Sequence, residues 1–383
     1  MDYLLLALSP HLYENRDEEM SSRKMKIDSP FLLLFLWSLL CLFAIQCSAL
    51  IATTTTAPKH SIRVFDNVFS TKTCHDLMFL SKEHSDRAED CDGSSIFYRH
   101  EGNSLSPLER AIDSVLTSIG DVSNIVEYWS REHYINIDTH ADVDEKRFLH
   151  ESRILCPKQG HILYLSVDTN LLGPTVIFPN KLEGWSTERN TKTKIIEMVT
   201  IPALQGRLVR FNGRAMHAVP KPVDRWLLSD VDEKLLREKE NDEAQRFTDN
   251  KKSKDSIDDN DLRHVLLFNT WDYGPAYVDE DPAFSGGGND LISQWQKKYG
   301  KCAEKIVCND LSNWSEAMIT DAEINDDNIN DYDTIRIHLM GNKKRRCHPK
   351  PYTKLSGVSI DTIRAAITEP ERPSRVFFQN EKA

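Results

Sequence analysis

The chain has 383 residues, 40% hydrophobic and 28% charged, the balance of a folded domain with room for appendages. Its formal charge of −11 and a pI near 5.7 exclude a general nucleic-acid binder.

The first predicted element, Phe31 to Leu50, is a largely apolar run of 20 residues without a charge, long enough to span a bilayer as a helix. Arg23, Lys24 and Lys26 precede it and would hold that end cytosolic. Small residues at Cys47-Ser48-Ala49 also suit signal cleavage, and Met20 or Met25 would start a more ordinary signal sequence than Met1. Residues 1–50 therefore read as a signal peptide or as a signal-anchor transmembrane segment. The remainder would lie in the ER or Golgi lumen, as a single-pass type II membrane protein or a secreted one. Residues 51–60, rich in threonine, read as a tether.

Ser61 to Ser70 alternates like a strand and ends at a helix cap. The spacing of Cys74, Leu77, Met78 and Leu80 predicts a helix over Thr71–Ser81, and a second amphipathic helix runs over Leu105–Ile119, stopped near Gly120. From Ile125 the pattern turns to strands, with candidates at His133–Asp138, His161–Val167, Thr175–Pro179, Ile195–Ile201, Arg207–Asn212 and Arg263–Trp271. Two helices followed by many short strands predict a mainly β fold with flanking helices, a buttressed sandwich or barrel. Residues 229–262 are dense in charge and short of apolar periodicity, which predicts a disordered or frayed-helix insertion. Beyond 275 the pattern is sparser, with one further strand expected at Thr334–Leu339.

Outside the apolar segment stand Cys74, Cys91, Cys156, Cys302, Cys308 and Cys347, an even set that suits an oxidising compartment. Cys302 and Cys308 are the nearest candidate pair, and no CxxC supports a zinc ribbon. Asn313-Trp314-Ser315 is a glycosylation sequon, usable if this part is lumenal.

The residues with chemistry come in order. In His140-Ala141-Asp142 the first and third side chains of an extended segment point the same way, so an imidazole and a carboxylate can take adjacent corners of one metal. His217, ahead of Pro220, could complete a two-histidine, one-carboxylate set. A dicarboxylic cosubstrate needs a fixed cation, and Arg225 and Arg263 are the candidates. Arg225 follows a turn-like stretch where Asp224 or solvent can satisfy it. Arg263 shares a strand face with Val265 and Leu267, so it points where core side chains point. Tyr134 and Asn136 share the parity of His140 on the predicted strand and are candidate pocket-lining residues.

Ile62 to Ser70 with Cys74 and Leu77 resembles the opening strand and helix of prolyl 4-hydroxylase-like members of the 2-oxoglutarate/Fe(II)-dependent dioxygenase superfamily. His140, Asp142 and His217, the last two 75 residues apart, match that superfamily's metal motif in order. The resemblance covers about Ile62 to Trp271. It implies a double-stranded β-helix (jelly roll, cupin-like) with helices packed on one face, and an oxygenase domain at 61–275. A C-terminal extension over 276–383 would pack partly on that core. It further implies Fe(II) held by His140, Asp142 and His217, with 2-oxoglutarate as cosubstrate, O2 as co-reactant and ascorbate as accessory reductant. The implied reaction couples decarboxylation of 2-oxoglutarate to hydroxylation of a C–H bond on a protein side chain, prolyl or other, or on a small molecule. One departure is plain: prolyl hydroxylases place a lysine about ten residues past the distal histidine, and this chain has Arg225 there, or Arg263 once the insertion is removed.

Two other readings remain. Asp142-Val143-Asp144 and Asp230-Val231-Asp232 are formally DxD motifs of the kind a lumenal glycosyltransferase uses for a metal–nucleotide sugar. A non-catalytic binding module on the same fold is the other.

Overall fold

In the computed structural model the chain divides into two units, Met1–Ala57 and Pro58–Ala383. The residues described are 62–88, 95–99, 105–151, 153–168, 170–179, 195–228, 232, 234–239, 262–274, 306–322, 335–338 and 352–379. The predicted segment Phe31–Leu50 lies outside them. Among the described residues no helix is long and apolar enough to cross a membrane.

The core is a jelly roll. Eight strands run in chain order: β3 (Ile125–His133), β4 (Ile137–His140), β5 (Gln159–Val167), β6 (Thr175–Phe178), β7 (Ile195–Ile201), β8 (Leu208–Asn212), β9 (Met216–Val219) and β10 (Leu262–Trp271). They divide between two sheets, β3, β5, β8 and β10 in the larger and β4, β6, β7 and β9 in the smaller. The larger sheet is completed by β1 (Arg63–Asp66), β2 (Ser95–Tyr98) and β11 (Ser315–Glu316) in the order β11-β1-β8-β5-β10-β3-β2. The smaller gains β12 (Thr320–Asp321) and β15 (Ser374–Gln379), in the order β12-β15-β7-β6-β9-β4. A hairpin of β13 (Ile335–His338) and β14 (Tyr352–Leu355) stands apart from both sheets.

Strand alternation sorts the side chains into three packed layers. Val64, Ile162, Tyr164, Ile177, Val199, Val209 and Val265 fill the space between the sheets. The opposite face of the larger sheet, with Leu163, Leu266 and Phe268, packs under α1 (Thr71–Ala88) and α2 (Pro107–Ser118). The outer face of the smaller sheet is covered by β13 and α4 (Ile360–Thr368), through Ile335, Ile337 and Ile363. The predicted helices on one face are there, and this second cover adds to them.

Local chemistry sets the helix ends. Ser106 and Glu109 form a reciprocal capping box around Pro107, and Gly120 takes a positive φ just past the end of α2. Helix α1 runs to Ala88, past the predicted Ser81; its last stretch is polar and carries no apolar period, so the apolar spacing ends before the helix does. Ser81 and His264 tie α1 to β10, the His264 Nε2 donating to the serine oxygen at 2.6 Å while Ser81 donates to Met78 O.

Other expectations need correcting. The predicted strand His133–Asp138 does not exist: β3 ends at His133 in one sheet and β4 begins at Ile137 in the other. In the charged insertion residues 234–239 are helical, and Arg237 Nη1 reaches Asp138 Oδ2 at 3.4 Å. Cys74 and Cys308 are free thiols, and Cys302, the expected partner of Cys308, lies outside the described residues. Cys74 is fully buried, and that burial pushes its thiol up to about 11.

Candidate metal centre

His140 closes β4, and its cross-strand partner on β9 is His217. Their rings lie side by side, centroids 4.3 Å apart. Asx-type bonding at Asn212 turns the chain through Gly213 and Arg214, from β8 in one sheet to β9 in the other. Gly213 is needed there, because a Cβ would meet Pro157 O at 2.2 Å. Gly160 plays a related part on β5: the Phe211 ring occupies the space a Cβ would take, and Phe211 in turn packs 5.2 Å from His217.

Alternation past β4 turns Ala141 into the outer apolar layer and Asp142 inward. Asp142 Oδ1 lies 3.7 Å from His140 Nε2 and 3.9 Å from His217 Nε2. One ligand atom from each of the three falls within 4.8 Å of the others. Each Nδ1 faces a backbone carbonyl, Asp138 O at 2.9 Å for His140 and Ala215 O at 3.4 Å for His217. A carbonyl only accepts, so each Nδ1–H donates and each Nε2 keeps its lone pair for a metal. Metal–ligand bonds of about 2.1 Å put adjacent corners about 3 Å apart, so the carboxylate–imidazole gaps exceed a bound geometry by less than about 1 Å. The donor set fits a divalent transition metal.

Arg263 is buried between the sheets at 3% exposure. Its Nε donates to Gly173 O at 2.8 Å, and its Nη2 donates to Thr175 Oγ1 at 2.8 Å and reaches Tyr164 OH at 3.5 Å. Among the described residues it pairs with no carboxylate. Gly173 makes this seat, because a Cβ there would stand 2.9 Å from Arg263 Cδ and 3.4 Å from the Tyr134 ring. Arg225 is also buried, at 2%, and so is not satisfied by solvent. Its Nη1 donates to Lys221 O at 2.9 Å, in a 3-10 turn (Arg225–Leu227) whose Trp226 packs into the outer layer of the smaller sheet.

The parity argument for Tyr134 and Asn136 fails, since both sit in the crossover between β3 and β4. Tyr134 nevertheless flanks Arg263, across Gly173, while its hydroxyl donates to Pro220 O. Asn136 donates to Asp138 Oδ1 and accepts from the Lys221 amide, bracing the two loops. Asp144, the second carboxylate of the nearer DxD, accepts from Arg147 N at 2.8 Å at the start of α3 (Glu145–Glu151) and acts as a helix cap. Asp230 lies outside the described residues.

Sequence reasoning missed four residues. Tyr164, Thr175 and Gly173 seat Arg263, and Asn269 Nδ2 donates to Asp142 Oδ2 at 3.1 Å. Also unforeseen is the wall beside them. Glu127, Trp129 and Arg131 pair in register with Asn269, Leu267 and Val265, so they share the inter-sheet face. They are half-buried, where Ile162, Val209 and Val265 on that face are closed off, so the sandwich is more open along β3.

No known family profile matches the chain, and no curated protein matches it. Among solved structures, a prolyl-4-hydroxylase of Pseudomonas putida is similar at 10% identity, over 56% of this chain and 90% of that one, with a TM-score of 0.30. HygX from Streptomyces hygroscopicus, with nickel and 2-oxoglutarate bound, is similar at 8% identity over 55% and 83%, TM-score 0.26. A viral collagen prolyl hydroxylase from Paramecium Bursaria Chlorella virus-1, in its 2-oxoglutarate complex, is similar at 10% identity over 56% and 98%, TM-score 0.27. Likenesses this distant decide nothing about what the chain does.

Proposed function

We propose that this protein is an Fe(II)- and 2-oxoglutarate-dependent dioxygenase that hydroxylates a protein side chain, prolyl or other, in the secretory pathway. The carrying observation is a pair of features inside one sandwich: a convergent His140–Asp142–His217 donor set and the buried Arg263 without a carboxylate partner among the described residues. A buried guanidinium needs a counter-charge, and the distal carboxylate of 2-oxoglutarate would provide it. The Tyr164 and Thr175 hydroxyls beside it share one hydrogen bond at 2.7 Å, which leaves one O–H to donate to that carboxylate. His140, Asp142 and His217 would hold the iron, which when bound supplies the oxygen-activating chemistry. Trp129, half-buried on the inner face of β3, offers an apolar wall for the side chain to be oxidised.

The test is an anaerobic titration of Fe(II) and 2-oxoglutarate. Formation of a visible charge-transfer band, then succinate release that rises with proline-containing peptides, supports the reading. Absence of the band with both additions refutes it. The lumenal placement has its own test. Asn313 is exposed in the turn before β11, so translation with microsomes should give a product shifted by endoglycosidase, and Asn313→Gln should abolish the shift. An unshifted, protease-accessible chain on intact microsomes argues for the cytosolic side.

A further inference from the structure

We infer that Asn269 is a positioning residue that restrains Asp142 to one-oxygen ligation and thereby preserves the open corners of the metal site; this rests on the metal reading proposed above. Asn269 lies on β10 at 2% exposure, flanked in register by Glu127 on β3 and by Gly160 on β5. Its neighbours along the same face, Leu267 and Val265, are apolar and pack into the inter-sheet layer. A buried amide in such a row is disfavoured unless it is hydrogen-bonded, so its retention needs a partner that matters. The partner is Asp142 Oδ2, at 3.1 Å. A carboxylate oxygen can only accept, which fixes the amide nitrogen as the atom facing it.

The two oxygens of Asp142 are thereby made unequal. Oδ1 faces both imidazole Nε2 atoms, at 3.7 and 3.9 Å, while Oδ2 is held by the strand on the opposite sheet. Three single-atom ligands on one face of an octahedron leave three corners open. A carboxylate binding through both oxygens would take a fourth and leave two, too few for a chelating 2-oxo acid together with O2. The Asn269 amide competes with the metal for Oδ2 and so opposes that collapse.

The experiment uses the full chain and Co(II), which reports coordination number in its visible spectrum without oxygen chemistry. Asn269→Leu and Asn269→Ala should bind Co(II) about 10–100-fold more weakly than wild type, the usual loss when a hydrogen bond to a ligand is removed. Their bound spectra should shift toward higher coordination. Asn269→Gln, which keeps the donor, should recover most of the affinity and the wild-type spectrum. Either donor-less variant melting like wild type, with Co(II) affinity and spectrum unchanged, overturns the inference. If wild type binds no Co(II), this inference and the metal reading fall together. If wild type binds Co(II) but not 2-oxoglutarate, and the variants still lose metal, the positioning role stands and the cosubstrate reading falls.

Discussion

Arg207 and Arg263 are buried to nearly the same depth in two parts of this molecule, and they are held in opposite ways. Arg207, ahead of β8, meets Asp66 with two parallel bonds of 2.6 and 3.0 Å and caps the carbonyls of Pro202 and Glu371. Its charge is answered by the protein, and it joins β1 to the segment leading into β15. Arg263 meets a carbonyl and two hydroxyls, all neutral. Burial of a cation is therefore no sign of function; burial with the counter-charge left to something else is.

The strongest test of the contrast removes one ligand of the proposed metal site. His217→Ala should abolish Fe(II) binding and all 2-oxoglutarate turnover; full iron occupancy with uncoupled succinate formation in that variant would sink the assignment. The next compares the arginines directly. Arg263→Ala should weaken 2-oxoglutarate affinity by about two orders of magnitude or more, from about 3–5 kcal/mol for a lost buried partner, while iron still binds. Arg207→Ala should do the reverse, lowering unfolding stability by about 3 kcal/mol and leaving cosubstrate affinity alone in the folded fraction. Arg225→Ala should cost far less 2-oxoglutarate affinity than Arg263→Ala. The reverse order between Arg225 and Arg263, read by titration, would make Arg225 the anchor.

The structural side of the comparison also responds to pH. Burial, followed by the charges of Lys82 and His133, lowers His264 to about 4. The folded state thus favours the neutral ring. This contribution is complete above pH 6.5, shrinks as pH falls below it and is gone near pH 4, a change of about 3 kcal/mol. Urea unfolding from pH 7.5 to 4.5 should show a steeper loss in wild type than in His264→Gln; parallel curves would remove His264 from the account. The mildest change is Gly173→Ala. Its Cβ must displace the Arg263 side chain, so 2-oxoglutarate should bind about tenfold more weakly, about 1.4 kcal/mol, with metal affinity unchanged. Unaltered cosubstrate binding would mean the arginine seat is not where the cosubstrate ends.

The candidate metal set was legible because its first half is local: His140 and Asp142 are two residues apart, and strand geometry alone points them together. Arg263 was legible once the charged insertion was set aside. Asn269, Tyr164 and Thr175 were not, since each meets its partner across sheets or strands that only the tertiary fold brings near. β9, four residues long and entered by a tight turn, was too short to show as a strand, though His217 in it stood out by chemistry. The parity argument for Tyr134 and Asn136 failed for a specific reason. Parity holds within a strand, and the chain changes sheets between His133 and Ile137.

The pairing of β15 with β7 sets a schedule for synthesis. When residues up to Trp271 have been made, all eight jelly-roll strands and every proposed iron ligand exist, yet one edge of Ile195–Ile201 still lacks its neighbour. The closing strand is encoded about 100 residues later, and translation at about 5–20 residues per second leaves that apolar edge unpaired for roughly 5–20 s. An open edge of this kind is a template for intermolecular pairing. The nascent chain accordingly depends on whatever shields it during that interval, and a stop codon ahead of Ser374 would release a protein with its proposed metal ligands encoded and its sheet left adhesive.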